Sequence, residues 1–370
     1  MTTGWVAAMT GIRQPFQLQE YPVPEPGPGA VVVKVRLANV CGSDLHLWRG
    51  HYKPADGGSW NLRSVGHEMC GEVYALGEGV THDATGQPLE VGDRIVYTYY
   101  CPCGRCRACL RDRTPRCPHG MRHRHPPTVW PHFNAAYGQF YYLHPGQKCF
   151  KVPDNVSDDL AAPANCALVQ VIDGLEEAGA GLGDTVVIQG AGGLGVLAAA
   201  VAKERGVSQV IVVDAVDSRL ALAREFGADA VIDLKSLATP AERVLRVKQL
   251  TDGWGADVVL EVTGVPGAVP EGLAMLGCGG VYAEIGNICE GEHCSIDPSL
   301  LVLQAIKVLG LMWYRPQSLN RAMRFLAEHQ GKYPFAKLIA NRYPLSAINE
   351  AYAAQDAGSI QRASLAMWES

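Results

Sequence analysis

The sequence contains no apolar run long enough to cross a bilayer, no internal repeat and no low-complexity tract. A membrane span needs roughly 18 or more consecutive apolar residues, so no membrane association is expected. Met1 to Met9 lacks the charged and then apolar layout of a secretory leader, and a cytoplasmic location is the expectation. Charge of one sign is also missing: 32 Lys plus Arg stand against 37 Asp plus Glu, a formal net charge of −5. Without a positive excess the chain is not expected to bind nucleic acid. Charged residues are only 19% of the chain while 48% are apolar, which excludes a disordered chain, and the aperiodic glycines exclude a collagen-like one. What remains is a globular chain of 370 residues, long enough for about two domains.

Cysteine is the residue in surplus, with 12 copies. A reducing compartment disfavours disulfides, so such a chain uses thiolates for metal or catalysis, or buries them. Cys103, Cys106, Cys109 and Cys117 fall in one short stretch. Four thiolates on a compact loop enclose a tetrahedral ion with no position left for substrate, the arrangement of a structural zinc. Iron–sulfur clusters also take four Cys, with other spacings. Arg105, Arg107, Arg111, Arg113 and Arg116 surround the cluster and offset its negative charge, and a loop this polar is not core. Cys101, just outside, reads as a spare thiol. The same lobe with its arginines also raises a rival reading, a nucleic-acid-binding zinc protein, which the acidic balance opposes.

The first part of the chain reads as β-rich and loop-rich, with extended pieces at Ala30 to Leu37, Gly71 to Leu76 and Arg94 to Tyr100. From Ser157 strands and helices alternate: helix over Asp158 to Ala178, strand over Thr185 to Ile188, helix over Ala191 to Arg205, strand over Gln209 to Asp214, and similar pieces to about Leu311. That alternation predicts a parallel, doubly wound sheet covered on both faces. The last segment, Leu319 to Ser370, carries two helical patterns around a short extended piece at Lys337 to Arg342.

Between the strand TVVIQ and the next helix, Gly190, Gly192 and Gly195 form G-x-G-x-x-G, with Gly193 and Leu194 inside the turn. The first glycine permits the tight turn, the second lets backbone approach a pyrophosphate, and the third lets helix pack on strand. The helix N-terminus then offers N–H donors to phosphate. Asp214 ends the second strand about 20 residues on, where an acidic side chain meets the ribose hydroxyls and repels a 2′-phosphate, so NAD(H) is favoured over NADP(H); Arg219 lies close enough to blur that preference. The bland alternative is a structural turn in which Asp214 caps a strand.

A second, dispersed set of candidate ligands comprises Cys41-Gly42-Ser43-Asp44-Leu45-His46 and Gly66-His67-Glu68. A catalytic zinc takes three protein ligands and keeps a fourth position open, and an adjacent carboxylate can orient a ligand histidine. Taken singly, Cys41 is an ordinary thiol and His67 an ordinary core histidine.

Together, CGSDLH, GHE, the four-Cys lobe and GAGGLG resemble the zinc-dependent medium-chain alcohol dehydrogenases over essentially the whole chain. The resemblance implies an α/β chain with a GroES-like, β-rich catalytic domain over residues 1–155, a structural zinc lobe at about 101–120, a Rossmann NAD-binding domain over 156–315, and a segment 316–370 returning to the catalytic domain. It implies Cys41, His67 and Cys166 as ligands of a catalytic zinc. Some sorbitol- and threonine-dehydrogenase-like relatives place a glutamate where Ala162 stands here, so the Cys form is preferred. Glu68 resembles a carboxylate that moves onto the metal during ligand exchange, Asp44 the acid that orients the ligand histidine, and Ser43 with His46 a proton relay. Two zinc ions per chain, a small-molecule alcohol or carbonyl substrate, hydride exchange with NAD, and a homodimer or homotetramer follow as expectations. A polyol, threonine-type or anionic alcohol is the alternative substrate; a zinc-free quinone reductase would lack the ligands, and an NAD-binding sensor would lack turnover.

Trp48, Trp60, Tyr99, Trp130 and Asn165 are candidate wall residues. The segment MRHRHPPTVWPH, Met121 to His132, reads as a solvated loop beside the lobe. Its alternative presents Arg122, His123, Arg124 or His125 to an anionic substrate.

Overall fold

In the computed structural model, which describes residues 2–51 and 62–368, the chain divides into two units. One comprises Met1–Cys166, Arg315–His329 and Phe335–Ser370; the other comprises Ala167–Tyr314 and Gln330–Pro334. Trp60 lies outside the described residues. No described helix is long and apolar enough to cross a membrane.

The first unit begins with β1 (Thr3–Met9) and β2 (Gln17–Pro22), followed by β3 (Val31–Asn39), α1 (Gly42–Arg49), β4 (Arg63–Ser64), β5 (Glu68–Leu76), β6 (Arg94–Tyr97), β7 (Phe140–Leu143), β8 (Cys149–Lys151) and α2 (Asp158–Pro163). Val31, Val33 and Val35 alternate along β3 and are buried in an antiparallel sheet, which also takes in the chain's C-terminal strand. β1 pairs with β2 and β4 in a small separate sheet; neither β1 nor β2 stood out in the sequence, because β2 is largely exposed and its residues are polar. The unit runs past residue 155 to Cys166 because α2 packs on β3 and β5, and because Arg36 of β3 pairs with Asp158 at 2.6 Å.

The second unit contains α3 (Val169–Glu177), β9 (Thr185–Gln189), α4 (Gly193–Glu204), β10 (Gln209–Asp214), α5 (Asp217–Glu225), β11 (Ala230–Asp233), α6 (Pro240–Leu250), β12 (Ala256–Glu261), α7 (Ala268–Met275), β13 (Leu276–Glu284), α8 (Pro298–Leu303) and β14 (Lys307–Gly310). Its strands pair in parallel in the order β11-β10-β9-β12-β13-β14. Strand order reverses between β9 and β12, the position at which doubly wound sheets open a crevice for ligand. Val186 to Ile188 and Val210 to Val212 are fully buried, as expected of strands covered on both faces.

The C-terminal return supplies α9 (Pro316–His329), β15 (Asn341–Pro344), α10 (Ile348–Asp356) and β16 (Ala363–Ala366) to the first unit. The extended piece expected at Lys337 to Arg342 forms later, since Phe335–Leu338 is a 3-10 turn. β16, absent from the sequence reading, pairs antiparallel with β3, placing Ser364 opposite Asn39.

Candidate active site

In the first unit, strands β3, β5 and β16 lie side by side, and Asn39 of β3 faces Glu68 of β5. β3 therefore ends where β5 begins. Cys41, just after β3, and His67, just before β5, are brought together by antiparallel pairing of segments far apart in sequence. Gly66 makes that entry possible: its φ is +91°, and a Cβ there would press within 2.7 Å of the Tyr137 ring, so the glycine of GHE has two backbone reasons to be there. Cys166 comes from beyond the end of α2. It sits in Ala164–Leu168, a π-helical turn between α2 and α3, the kind of irregularity that redirects side chains at functional sites.

The ligand atoms of Cys41, His67, Cys166 and one carboxylate oxygen of Glu68 lie within 4.8 Å of one another. Cys41 Sγ and Cys166 Sγ are 3.9 Å apart; two sulfurs on a tetrahedral zinc with ~2.3 Å bonds stand ~3.8 Å apart. Glu68 is fully buried, its Oε1 accepts from Arg362 at 3.0 Å, and its Oε2 meets no partner. Two sulfurs, an imidazole and an orphaned carboxylate oxygen form a donor set that suits zinc. The Cys166 hydrogen bond holds the Cys41 thiol well below its usual range, against burial, and the same contact with burial pushes Cys166 up.

Asp44 organises the histidine. One carboxylate oxygen lies 3.1 Å from His67 Nδ1. The other accepts the Cys41 N–H at 3.0 Å, closing the first turn of α1, and the Tyr137 hydroxyl at 2.9 Å, which in turn receives the Tyr352 hydroxyl at 3.2 Å. Burial works to lower the His67 pKa, but Asp44 and Cys41 together raise it well above the ordinary imidazole value. Burial raises the Glu68 carboxyl well above the usual carboxylate range despite Arg362. Ser43 Oγ is 3.4 Å from His67 Nε2, and His46 Nδ1 is 2.9 Å from His51 Nδ1. Burial, with His51 and Arg49, lowers the His46 pKa.

The lobe gathers Cys103, Cys106, Cys109 and Cys117, whose Sγ atoms all lie within 4.8 Å of one another. The Cys106–Cys109, Cys106–Cys117 and Cys103–Cys109 separations are 3.5, 3.8 and 4.0 Å, again close to a zinc–thiolate tetrahedron. Backbone N–H groups, that of Arg105 foremost, lower Cys103 to about 6, whereas burial and the neighbouring thiols raise Cys109 to about 12. All five flanking arginines are exposed. Cys101 is buried against the Pro102 and Pro145 carbonyls and stands apart from the four.

In the second unit, Gly190 has φ of +104°, and a Cβ on Gly195 would run into the Gly190 carbonyl oxygen. A Cβ on Gly192 or Gly193 would meet no protein atom. The turn thus needs glycine at its ends for internal reasons and opens onto free space in its middle, at the N-terminus of α4, where a phosphate fits. Leu194 follows within the first turn of α4. Asp214 is buried; its Oδ2 accepts the Ala191 N–H at 2.7 Å and its Oδ1 the Val216 N–H at 2.9 Å. It clasps the glycine turn to the end of β10, a structural job beside any ribose contact. Arg219 is exposed on α5.

Of the described wall candidates, Tyr99 meets the His67 ring edge-on with centroids 5.0 Å apart. Trp48 instead donates to the Gln14 carbonyl, Trp130 is exposed, and Asn165 is fully buried between the Met69 N–H and carbonyl. The solvated-loop expectation for Met121 to His132 holds for Arg122 and His125, which are exposed, but not for His123, which is buried, or Arg124, which reaches the Gly66 carbonyl at 2.9 Å. Arg362, Tyr137, Tyr352 and His51 were missed. A buried Glu68 calls for a counter-charge, but nothing in the sequence indicated Arg362, which sits just before the unanticipated β16.

Family models agree with this architecture: the alcohol dehydrogenase GroES-like domain matches residues 27–154 and the zinc-binding dehydrogenase domain residues 193–328. The chain is 33% identical to 5-exo-hydroxycamphor dehydrogenase of Pseudomonas putida, covering 92% of each protein. It is 33% identical to sorbitol dehydrogenase of Halalkalibacterium halodurans, covering 93% of each. The crystal structure of an alcohol dehydrogenase from Thermotoga maritima superposes with a TM-score of 0.90 at 26% identity, over 99% of this chain and 100% of that one. The chain belongs to the zinc-binding alcohol dehydrogenase family of the medium-chain dehydrogenase/reductase superfamily, and is an oxidoreductase that interconverts an alcohol and a carbonyl compound.

Proposed function

We propose that Cys41, His67 and Cys166 hold a catalytic zinc, that Cys103, Cys106, Cys109 and Cys117 hold a structural one, and that the glycine turn with Asp214 takes NAD(H) in preference to NADP(H). The observation that carries the reading is the convergence of Cys41, His67, Glu68 and Cys166 within 4.8 Å, backed by Asp44. When bound, the metal supplies Lewis acidity toward the substrate oxygen, and the nicotinamide accepts or returns the hydride.

The remaining work falls to side chains. Asp44 keeps the proton on His67 Nδ1, so Nε2 presents its lone pair toward the thiols. Glu68, with Oε2 free and Oε1 anchored by Arg362, is poised to act as an alternate ligand during exchange. Ser43 receives the proton shed by the substrate hydroxyl, and His46 passes it outward; His51, exposed and 2.9 Å from His46, continues that path. A buried Asp214 carboxylate beside the turn opposes a 2′-phosphate by charge.

The edge strand β14 and α8 expose Val302, Leu303 and Val308, and an uncovered edge with apolar neighbours suits pairing with a second copy, which supports a homodimer or a dimer-based tetramer. The use of cysteines as thiolate ligands suits a reducing, cytoplasmic setting. A screen of primary, secondary, polyol and hydroxy-acid alcohols, each with NAD and NADP, tests the reading through absorbance of the reduced cofactor. Turnover with NAD is expected; higher kcat/KM with NADP removes the role given to Asp214, and no turnover with any alcohol overturns the catalytic assignment.

A further inference from the structure

Arg124 departs from the solvated neighbours of its segment. Its Nη2 donates to the carbonyl of Gly66, the residue before His67, at 2.9 Å. The guanidinium carbon lies 6.0 Å from the centroid of the Tyr99 ring, and that ring stands edge-on to His67. Tyr99 is in turn buried among the candidate ligands: burial, then the charges of Cys166, Tyr100 and Cys41, raise its phenol, and Arg124 lowers it. Cys41, Cys166 and His67, then Tyr99, then Arg124 therefore follow one another within a single unit.

Two features of Arg124 have no internal explanation. Its Nε is buried and meets no acceptor, and among the described residues no carboxylate pairs with its guanidinium. A charged donor held by a backbone carbonyl and left short of an acceptor is costly unless a ligand completes it, and sites with such a donor reject ligands that cannot fill it.

We propose that Arg124 selects the substrate, an alcohol carrying a carboxylate a few bonds from the carbinol carbon, with the carboxylate received across the Tyr99 face. This rests on the reading of Cys41, His67 and Cys166 as the catalytic centre. A planar guanidinium matches a carboxylate in shape as well as charge. A monoanion fits better than a phosphate dianion because the nearby histidines add no positive charge: burial, then the neighbouring arginine and histidine charges, lower His123 to about 3 and His144 to about 4.

The experiment compares 3-hydroxybutanoate, 4-hydroxybutanoate and 6-hydroxyhexanoate with their methyl esters, using NAD, in the wild type, Arg124→Lys and Arg124→Met. For at least one chain length the wild type should prefer acid over ester by roughly 10-fold or more in kcat/KM. Arg124→Met should abolish that ratio, the loss falling on KM for the acids, and Arg124→Lys should retain part of it. Calorimetric titration of the wild type with butanoate and with butanamide gives a readout independent of turnover and of any variant's folding, and butanoate should bind more tightly. Equal use of acids and esters, or equal loss of both in Arg124→Met, overturns the proposal. Turnover of esters without acid preference sinks Arg124 alone; no turnover of any alcohol sinks the catalytic centre and this proposal with it.

Discussion

Replacing Asp44 with Asn preserves shape and removes one acceptor, and the surroundings of Asp44 make the outcome calculable. Three donors converge on its carboxylate: His67 Nδ1–H at 3.1 Å, Cys41 N–H at 3.0 Å and the Tyr137 hydroxyl at 2.9 Å. An amide has one acceptor oxygen. If that oxygen faces His67, its NH2 opposes two donors in a buried place, since Asp44 is only 5% exposed. If the amide turns over, NH2 faces Nδ1, and the imidazole must shift its proton to Nε2, the nitrogen needed for metal. Either arrangement weakens the histidine as a ligand, and loss of such an orienting partner costs about 10–100-fold in metal affinity, or about 1.4–2.8 kcal/mol. Titration of the zinc-loaded protein with a chromogenic chelator resolves two classes of zinc; Asp44→Asn should loosen one by that factor and leave the lobe class unchanged. Tyr137→Phe, which removes a single donor and keeps the ring, should loosen the same class by less. Zinc affinity within about two-fold of wild type for Asp44→Asn would refute the reasoning.

Other predictions concern separate parts of the molecule. Gly195→Ala should abolish cofactor binding and lower Tm, because the new methyl runs into the Gly190 carbonyl; cofactor-induced fluorescence quenching checks it. Glu284, raised to about 7 by burial and then by Glu261, holds a proton in the folded state that the unfolded chain has already lost. Stability from this group is therefore full below the unfolded value of about 4.3 and is lost as pH rises through about 7. Glu284→Gln should accordingly gain in Tm over wild type between pH 5 and pH 8, roughly the span of that titration; a pH-independent difference contradicts it. Cys103→Ala should lose one zinc with a fall in Tm and spare the Cys41 site. Zinc uptake by the lobe should release protons near neutral pH, since Cys109 sits at about 12, so apparent affinity should rise with pH.

Local signals carried most of the second unit into the sequence: β10 has the expected limits, and the glycine turn lies between β9 and α4. Parallel strands buried on both faces leave continuous apolar runs, and the first and last glycines of the turn, Gly190 and Gly195, each have a steric role. The lobe was legible for a similar reason, since its four thiols sit close in sequence. What was hidden depends on long-range pairing. β16 lies beside β3 across more than 300 residues, and only that pairing brings Arg362 to Glu68. Tyr137 and Tyr352 reach Asp44 through a core that no local pattern describes. Arg124 sits in a segment whose charge suggests solvent, and its contact with Gly66 follows from the fold of the loop alone.

Zinc content of the wild type and of Cys166→Ala, measured by elemental analysis alongside alcohol-dependent reduction of NAD, tests the central claim most directly. Wild type should carry about two zinc ions per chain, one for each ligand set, and the variant about half as much zinc, with cofactor reduction abolished and Tm nearly preserved. A variant that keeps the full zinc complement and activity, or a wild type that binds zinc only at the lobe, would contradict it.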